Sequence, residues 1–183
     1  GLAGGLGRIY SVVPGFREEG WGPFHTREFT MVEWYRVGAS HLEIMDDVEG
    51  LVRDCAEVLG VKLPEFERHS YAALFHEFAG QEPPSDPIER QRCWVNDVET
   101  RLQAPTFVYD YPADEAAFAE IRGGVAERYE FFYKGVELAN AFSELRDPLE
   151  LRTRWDENNV ERLANPHPAH PNAARVLEAA PPH

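Results

Sequence analysis

Four glutamates lie within segments that are otherwise rich in aromatic and aliphatic residues. They are Glu33, Glu130, Glu137 and Glu144, and few Lys or Arg residues stand near them. A buried carboxylate is costly unless a cation or a hydrogen-bond donor compensates it. One such residue is usually structural, but four in three strand-like segments are better explained by an external cation. A divalent metal and an ammonium-bearing substrate are the two candidates.

Glu130 and Glu137 flank the dipeptide Lys134-Gly135, which is typical of a tight turn between two strands. We expect the two carboxylates to face each other across this hairpin. That arrangement suits Mg²⁺, which also takes phosphate oxygens and water. The alternative is an exposed hairpin whose acids are simply solvated.

Arg17 stands in a Gly- and Pro-rich loop between two predicted strands. A guanidinium in a loop is most often only solvated, but it can also hold a phosphate or a carboxylate through two hydrogen bonds. His25 lies in the same loop, and Phe29 leads the strand that follows. Together these three residues suggest a nucleotide site.

The clearest strand is EFTMVEWYR at 28–36. Its period-2 alternation places Phe29, Glu33 and Tyr35 on one face. Both faces are rich in apolar groups, which predicts an interior strand with Glu33 in a buried face.

The predicted elements form an α+β fold, an antiparallel β-sheet flanked by helices. Ser40 and Glu43 form a capping box before a helical apolar repeat, and Gly60 closes that helix. Strands are predicted at 8–13, 28–36, 105–112 and on both sides of Lys134-Gly135, and helices at 41–59, 71–78, 114–121 and 148–164, with a last short helix after the loop NPHPAHP.

Composition excludes some classes of function. The 183 residues carry a net charge of −14, which makes the chain a poor non-specific binder of phosphate backbones and a better partner for cations. The charge also serves solubility. No apolar run approaches the length of a membrane helix, and the two cysteines lack the spacing of a zinc site.

Two blocks of sequence resemble class II aminoacyl-tRNA synthetases of the lysyl type. GFREEGWGPFHTREFTMVEWYR at 15–36 is similar to motif 2, and ERYEFFYKGVELANAFSELRDP at 127–148 is similar to the metal and substrate segment. PTFVYDYP at 105–112 matches the strand that precedes that segment. The resemblance covers nearly the whole chain and implies one partial catalytic domain over 1–183. It is strongest to the branch that attaches (R)-β-lysine to elongation factor P.

The resemblance implies a two-step reaction. Lysine or (R)-β-lysine reacts with ATP to form an adenylate, and the acyl group then passes to a lysine of elongation factor P or, alternatively, to tRNA. Ala139 stands where tRNA-charging enzymes usually carry Gly. By matching position the implied roles are ATP binding for Arg17, Glu19, His25 and Phe29, with Arg17 also catalytic; lysine binding for Glu33, Tyr35, Ala139, Asn140 and Glu144; and Mg²⁺ binding for Glu130 and Glu137.

The resemblance also implies parts that these residues do not include. We expect motifs 1 and 3 to lie outside the 183 residues, and the full-length protein to be a cytoplasmic homodimer. We expect the 183-residue chain alone to be inactive in ATP–pyrophosphate exchange. A non-catalytic synthetase-like binding protein is a third alternative, because Ala141 replaces a family Gly and a positive φ there would strain it.

Overall fold

The computed structural model describes residues 4–17 and 26–164. The chain divides after Ala39 into two compact units. The first is a β-hairpin, and the second combines a sheet with helices. The predicted α+β class is confirmed.

The hairpin of the first unit pairs β1 (Arg8–Phe16) with β2 (Glu28–Arg36) in antiparallel register. β2 has the predicted bounds, whereas β1 runs three residues further than predicted. The prediction of an interior strand was wrong for the described residues, since β2 pairs only with β1 and Glu33 is exposed. The alternating apolar groups of β2 belong instead to the two faces of a two-stranded ribbon.

The second unit begins with helix α1 (His41–Leu59), and its predicted boundaries are confirmed. The Ser40 side chain accepts from the Glu43 N–H, and the Glu43 carboxylate accepts from the Ser40 N–H at 2.8 Å. Gly60 ends the helix with a φ of 66°, a conformation that Gly adopts without steric penalty.

A five-stranded sheet forms the centre of the second unit. The strands at 105–112 and around Lys134-Gly135 are confirmed, and the sheet is antiparallel except that β3 (Glu67–Ser70) pairs with β4 (Thr106–Pro112) in parallel. β3 was not predicted because its sequence, ERHS, is short and polar. The strands are β3 (Glu67–Ser70), β4 (Thr106–Pro112), β5 (Ile121–Arg122), β6 (Val125–Tyr133) and β7 (Val136–Phe142), in the order β3-β4-β6-β5, with β7 also paired to β6.

The turn between β6 and β7 consists of Lys134 and Gly135, whose φ angles are 54° and 70°. Two consecutive positive φ angles are typical of the type I′ hairpin turn, which matches the twist of the flanking strands. The Gly135 N–H also donates to the Leu102 carbonyl at 2.8 Å. This hydrogen bond fixes the turn against the segment that precedes β4.

Three further helical segments lie in the second unit. The predicted helix at 71–78 is confirmed as α2 (Tyr71–Leu74) followed by a π-helical turn over Phe75–Ala79. Helix α3 (Pro87–Cys93) was not predicted and continues as a π-helical turn over Trp94–Val98. Helix α4 (Pro148–Ala164) has the predicted bounds. No helix among the described residues is long and apolar enough to cross a membrane. The last predicted helix lies outside the described residues.

The predicted helix at 114–121 was wrong. Only one 3₁₀ turn forms, over Ala113–Glu115. Arg90 of α3 binds both acids of that turn, Asp114 at 2.6 Å and Glu115 at 2.5 Å. The alanines that suggested a helix serve as small core residues instead, since Ala116 and Ala119 are buried.

The two faces of the sheet carry separate aromatic layers. On one face Phe107 and Phe131 lie with ring centroids 4.7 Å apart. On the other face Tyr71 of α2 stacks on Trp94, with ring centroids 4.6 Å apart, and both contact Tyr111 of β4. The second layer therefore joins the helices to the sheet.

Arg90 is only 3% exposed. Its replacement therefore tests how strongly the stability of the second unit depends on one buried cation. We expect Arg90→Met to lower the free energy of unfolding by about 3 kcal/mol, because it leaves two carboxylates and a carbonyl without their donor. Arg92→Met, an exposed change in the same helix, is the control and should stay within about 0.5 kcal/mol of the parent. Urea denaturation measures both, and equal effects would contradict the role given to Arg90.

Candidate active site

The hairpin of the first unit brings Arg17 and Phe29 together. The Arg17 N–H donates to the Arg27 carbonyl at 2.9 Å, which extends the ladder one pair beyond β1. The Arg17 guanidinium lies 5.6 Å from the centroid of the Phe29 ring. Gly15 pairs with Phe29, and a Cβ atom at Gly15 would lie 2.9 Å from that ring. Gly15 therefore leaves the space that the ring occupies.

The remaining predicted residues of the first unit fall into two groups. Glu33 and Tyr35 share the Phe29 face of β2 and are exposed. Glu19 and His25 lie outside the described residues.

In the second unit Glu130 of β6 has a donor on each carboxylate oxygen. Oε2 accepts from the Tyr111 hydroxyl at 2.8 Å, and Oε1 accepts from the Arg128 guanidinium. Burial and the neighbouring Glu137 carboxylate raise the pKa of Glu130, and Arg128 offsets this only in part. Sequence reasoning missed Arg128, although its position two residues before Glu130 in one strand places both on the same face.

Glu137 reaches the same region by a different route from the one predicted. Glu137 lies opposite Phe132, in the register that the Lys134-Gly135 turn sets, and Phe132 shares a face of β6 with Glu130. A register shift between Phe132 and Phe131 then makes Asn140 the direct cross-strand partner of Glu130. The Glu137 carboxylate accepts from the Asn140 amide at 3.2 Å. The two glutamates are therefore diagonal neighbours on one face, and both line one cavity.

This cavity has a volume of about 170 Å³ and is lined mainly by acids and aromatic rings. Glu99, which no sequence pattern indicated, lies in the cavity. Burial and the Glu137 carboxylate raise the pKa of Glu99. Such a cavity favours a bound cation, because positive charge would offset the acids. The lining residues are Tyr71, Gln91, Trp94, Glu99, Tyr111, Glu115, Glu130, Phe132 and Glu137.

The donor set suits Mg²⁺, since Glu130 and Glu137 present carboxylate oxygens to one cavity. Within residues 4–17 and 26–164, no group of three or more His, Cys, Asp or Glu is arranged to hold a metal ion. Mg²⁺ is commonly bound by one or two carboxylates together with substrate phosphates and water. Two protein ligands therefore fit a metal that shares its coordination with a nucleotide.

Glu144 follows β7 and forms an isolated bridge with Ala119. The residue as a whole is exposed, but partial burial of its carboxyl group raises the pKa of Glu144. The preceding residue, Ser143, is fixed to the start of α1, because the His41 N–H donates to the Ser143 hydroxyl at 3.2 Å. This contact holds the segment that carries Glu144.

The alanines of β7 lie on the face opposite Asn140. Ala139 pairs with Phe131 and Ala141 pairs with Tyr129, whereas Asn140 pairs with Glu130. The structure therefore does not bring the Ala139 methyl group to the cavity. Ala141 lies in regular strand and is not among the residues with a positive φ, so the strain expected there is absent.

A family model described as tRNA synthetases class II (D, K and N) matches residues 2–183. The chain belongs to this class II synthetase family. Its relatives include proteins named elongation factor P--(R)-beta-lysine ligase. The one from Vibrio atlanticus is 33% identical over 97% of this chain and 64% of its own length. The one from Vibrio vulnificus is 35% identical over 88% of this chain and 58% of its own length. The chain thus spans about three fifths of the length of these relatives.

The segment that resembles motif 2 contains β2 and the end of β1, which pair in antiparallel register. The segment 127–148 is the β6–β7 hairpin with the residues that lead into α4. The sequence predicted this second hairpin from the Lys134-Gly135 turn.

Gly15 provides a test of the Phe29 site. We expect Gly15→Ala in the intact protein to displace the Phe29 ring and weaken ATP binding roughly tenfold, the scale of one base–aromatic stack. Gly7→Ala is the matched control, because no atom lies within 4 Å of a Cβ atom there. Isothermal titration with ATP measures both variants. An unchanged affinity for ATP in Gly15→Ala would exclude Phe29 as the residue that stacks on adenine.

Glu99 provides a test of the cavity's electrostatics. A raised carboxyl pKa in the folded state means that ionisation weakens folding as pH rises through that pKa. We therefore expect Glu99→Gln to stabilise the protein at pH 7, by less than about 1 kcal/mol for a half-buried group. The gain should vanish below the carboxyl's unfolded-state pKa. Exposed Glu57→Gln is the control. If the denaturant midpoints of Glu99→Gln and the parent differ by the same amount at every pH, the raised pKa of Glu99 is contradicted.

Proposed function

We propose that the intact protein is an ATP-dependent aminoacyl ligase. It activates lysine or (R)-β-lysine as an adenylate and transfers the acyl group to a lysine of elongation factor P. The observation that carries the proposal is the excess of carboxylates at the β6–β7 hairpin and just after it. Glu130 and Glu137 line one acidic cavity, and burial raises the pKa values of Glu130 and Glu144. A site of this charge suits an ammonium substrate and a divalent metal.

The first step forms the adenylate. A carboxylate oxygen of the amino acid attacks the α-phosphorus of ATP, the bond to the bridging oxygen breaks, and pyrophosphate leaves. Arg17 is proposed to bind the carboxylate and the α-phosphate, and Phe29 to stack on adenine beside it. Glu130 and Glu137 would hold Mg²⁺, which supplies positive charge to the phosphate oxygens when bound. Glu19 and His25 are proposed to bind the adenine amino group and the outer phosphates.

The residues proposed to bind the lysine substrate carry carboxylates and other polar groups. By their matching positions in the family segments, Glu33, Tyr35, Asn140 and Glu144 are proposed to bind the lysine ammonium. Ala139 would act on this pocket through its neighbours, since its register places it on the other face of the sheet.

In the second step the target amine attacks the carbonyl carbon of the adenylate, AMP leaves and the amine loses a proton. Elongation factor P is proposed as the acceptor because the relatives are named elongation factor P--(R)-beta-lysine ligase. The net charge of −14 also disfavours a nucleic-acid acceptor. We further propose a cytoplasmic homodimer, in which 1–183 forms part of one catalytic domain.

ATP–pyrophosphate exchange by the intact protein tests this function. We expect exchange with lysine or (R)-β-lysine and a loss of roughly 10⁴-fold with norleucine, which would leave the pocket's acids unpaired. Glu144→Gln should lower exchange by raising KM for the amino acid, whereas Glu157→Gln on the exposed side of α4 should not. Labelled lysine should then appear on elongation factor P. Labelling of tRNA instead would reject the acceptor, and absence of exchange would reject the enzyme.

A further inference from the structure

Both oxygens of the Glu130 carboxylate accept a hydrogen bond from a neighbouring side chain. The Tyr111 hydroxyl lies 2.8 Å from Oε2, and the Arg128 guanidinium binds Oε1. The same guanidinium lies 4.5 Å from the centroid of the Tyr111 ring. The two donors therefore contact each other as well as the carboxylate, and we call them the Glu130 clamp.

The clamp is itself anchored outside the sheet. The second terminal nitrogen of Arg128 donates to the Glu115 carbonyl at 2.8 Å. The Glu115 side chain accepts from buried Arg90 at 2.5 Å. This chain of contacts links α3 to β6 through the 3₁₀ turn at Ala113–Glu115. Movement of Arg128 would thus disturb several partners at once, which restricts the guanidinium to one position.

We propose that Arg128 and Tyr111 are positioning residues that orient Glu130 as a metal ligand, an inference that rests on the metal-binding role of Glu130 in the proposed function. Each oxygen of Glu130 receives one donor, so lone pairs remain for a cation in the cavity. Without the clamp, repulsion from Glu137 would favour a carboxylate rotated away from the cavity. Donors of this kind commonly set the geometry and affinity of metal ligands.

Two tyrosines of the sheet allow a matched test. Tyr111→Phe removes the hydroxyl that binds Glu130 and keeps the ring and the charge of the site. Tyr129→Phe removes a buried hydroxyl that has no hydrogen-bond partner within residues 4–17 and 26–164. Tyr129 pairs with Ala141 on the face opposite Glu130, so this variant serves as the control. Arg128→Lys keeps the positive charge but loses the planar group that makes several contacts at once.

Metal binding is measured on the intact protein with Mn²⁺ alone, from the electron paramagnetic resonance signal of the free ion. We expect Tyr111→Phe and Arg128→Lys to weaken Mn²⁺ binding about tenfold and Tyr129→Phe to leave it unchanged. In pyrophosphate exchange, the Mg²⁺ concentration for half-maximal rate should rise by a similar factor, with KM for lysine unchanged. Thermal unfolding identifies any variant that is not folded.

Glu130→Gln separates this inference from the proposed function. If Glu130→Gln abolishes Mn²⁺ binding while folded Tyr111→Phe and Arg128→Lys bind like the parent, the clamp is overturned and the function stands. If Glu130→Gln binds Mn²⁺ like the parent, Glu130 is not a metal ligand and both are overturned. A parallel rise in KM for lysine would also overturn the clamp, because it would indicate a general loss of structure.

Discussion

The structure of the second unit depends on keeping ionisable carboxyl groups within an aromatic layer of the sheet. Glu130 shares its face with Phe132, beneath the Tyr71–Trp94 stack, where an uncompensated carboxylate is costly. Arg128 and the Tyr111 hydroxyl compensate it in part. The raised pKa that persists is the physical reason to expect an external cation.

Several irregular features combine to form this cavity. The type I′ turn at Lys134-Gly135 sets Glu137 opposite Phe132, on the face of Glu130, and places the hairpin against the segment that carries Glu99. The register shift beyond that pair brings Asn140 opposite Glu130. The π-helical turn over Trp94–Val98 adds an aromatic wall. Bulges and π-helical turns of this kind are frequent near functional sites. The cavity therefore arises where regular pairing is interrupted.

The sequence predicted what local patterns encode. The Ser40–Glu43 capping box defined α1, and the Lys134-Gly135 turn located β6 and β7. Tertiary contacts and strand register decided the rest. Arg90 binds the acids of a predicted helix, and the register shift makes Asn140 the direct cross-strand partner of Glu130. The clamp on Glu130 was missed because the Lys and Arg residues near the four glutamates were only counted together. The period of two residues in a strand places Arg128, specifically, on the same face of β6 as Glu130.

The central claim is that the acids of this hairpin serve a cationic substrate and a metal. A crystal structure of the intact protein with Mg²⁺ and a non-hydrolysable lysyl-adenylate analogue tests it most directly. We expect the side-chain ammonium to lie within about 3 Å of the Glu144 carboxylate, at hydrogen-bond distance. We expect the metal to be bound by oxygens of Glu130 and Glu137. An analogue bound with its ammonium away from Glu144, and a metal held by other residues, would show that these acids do not serve the substrate and the metal.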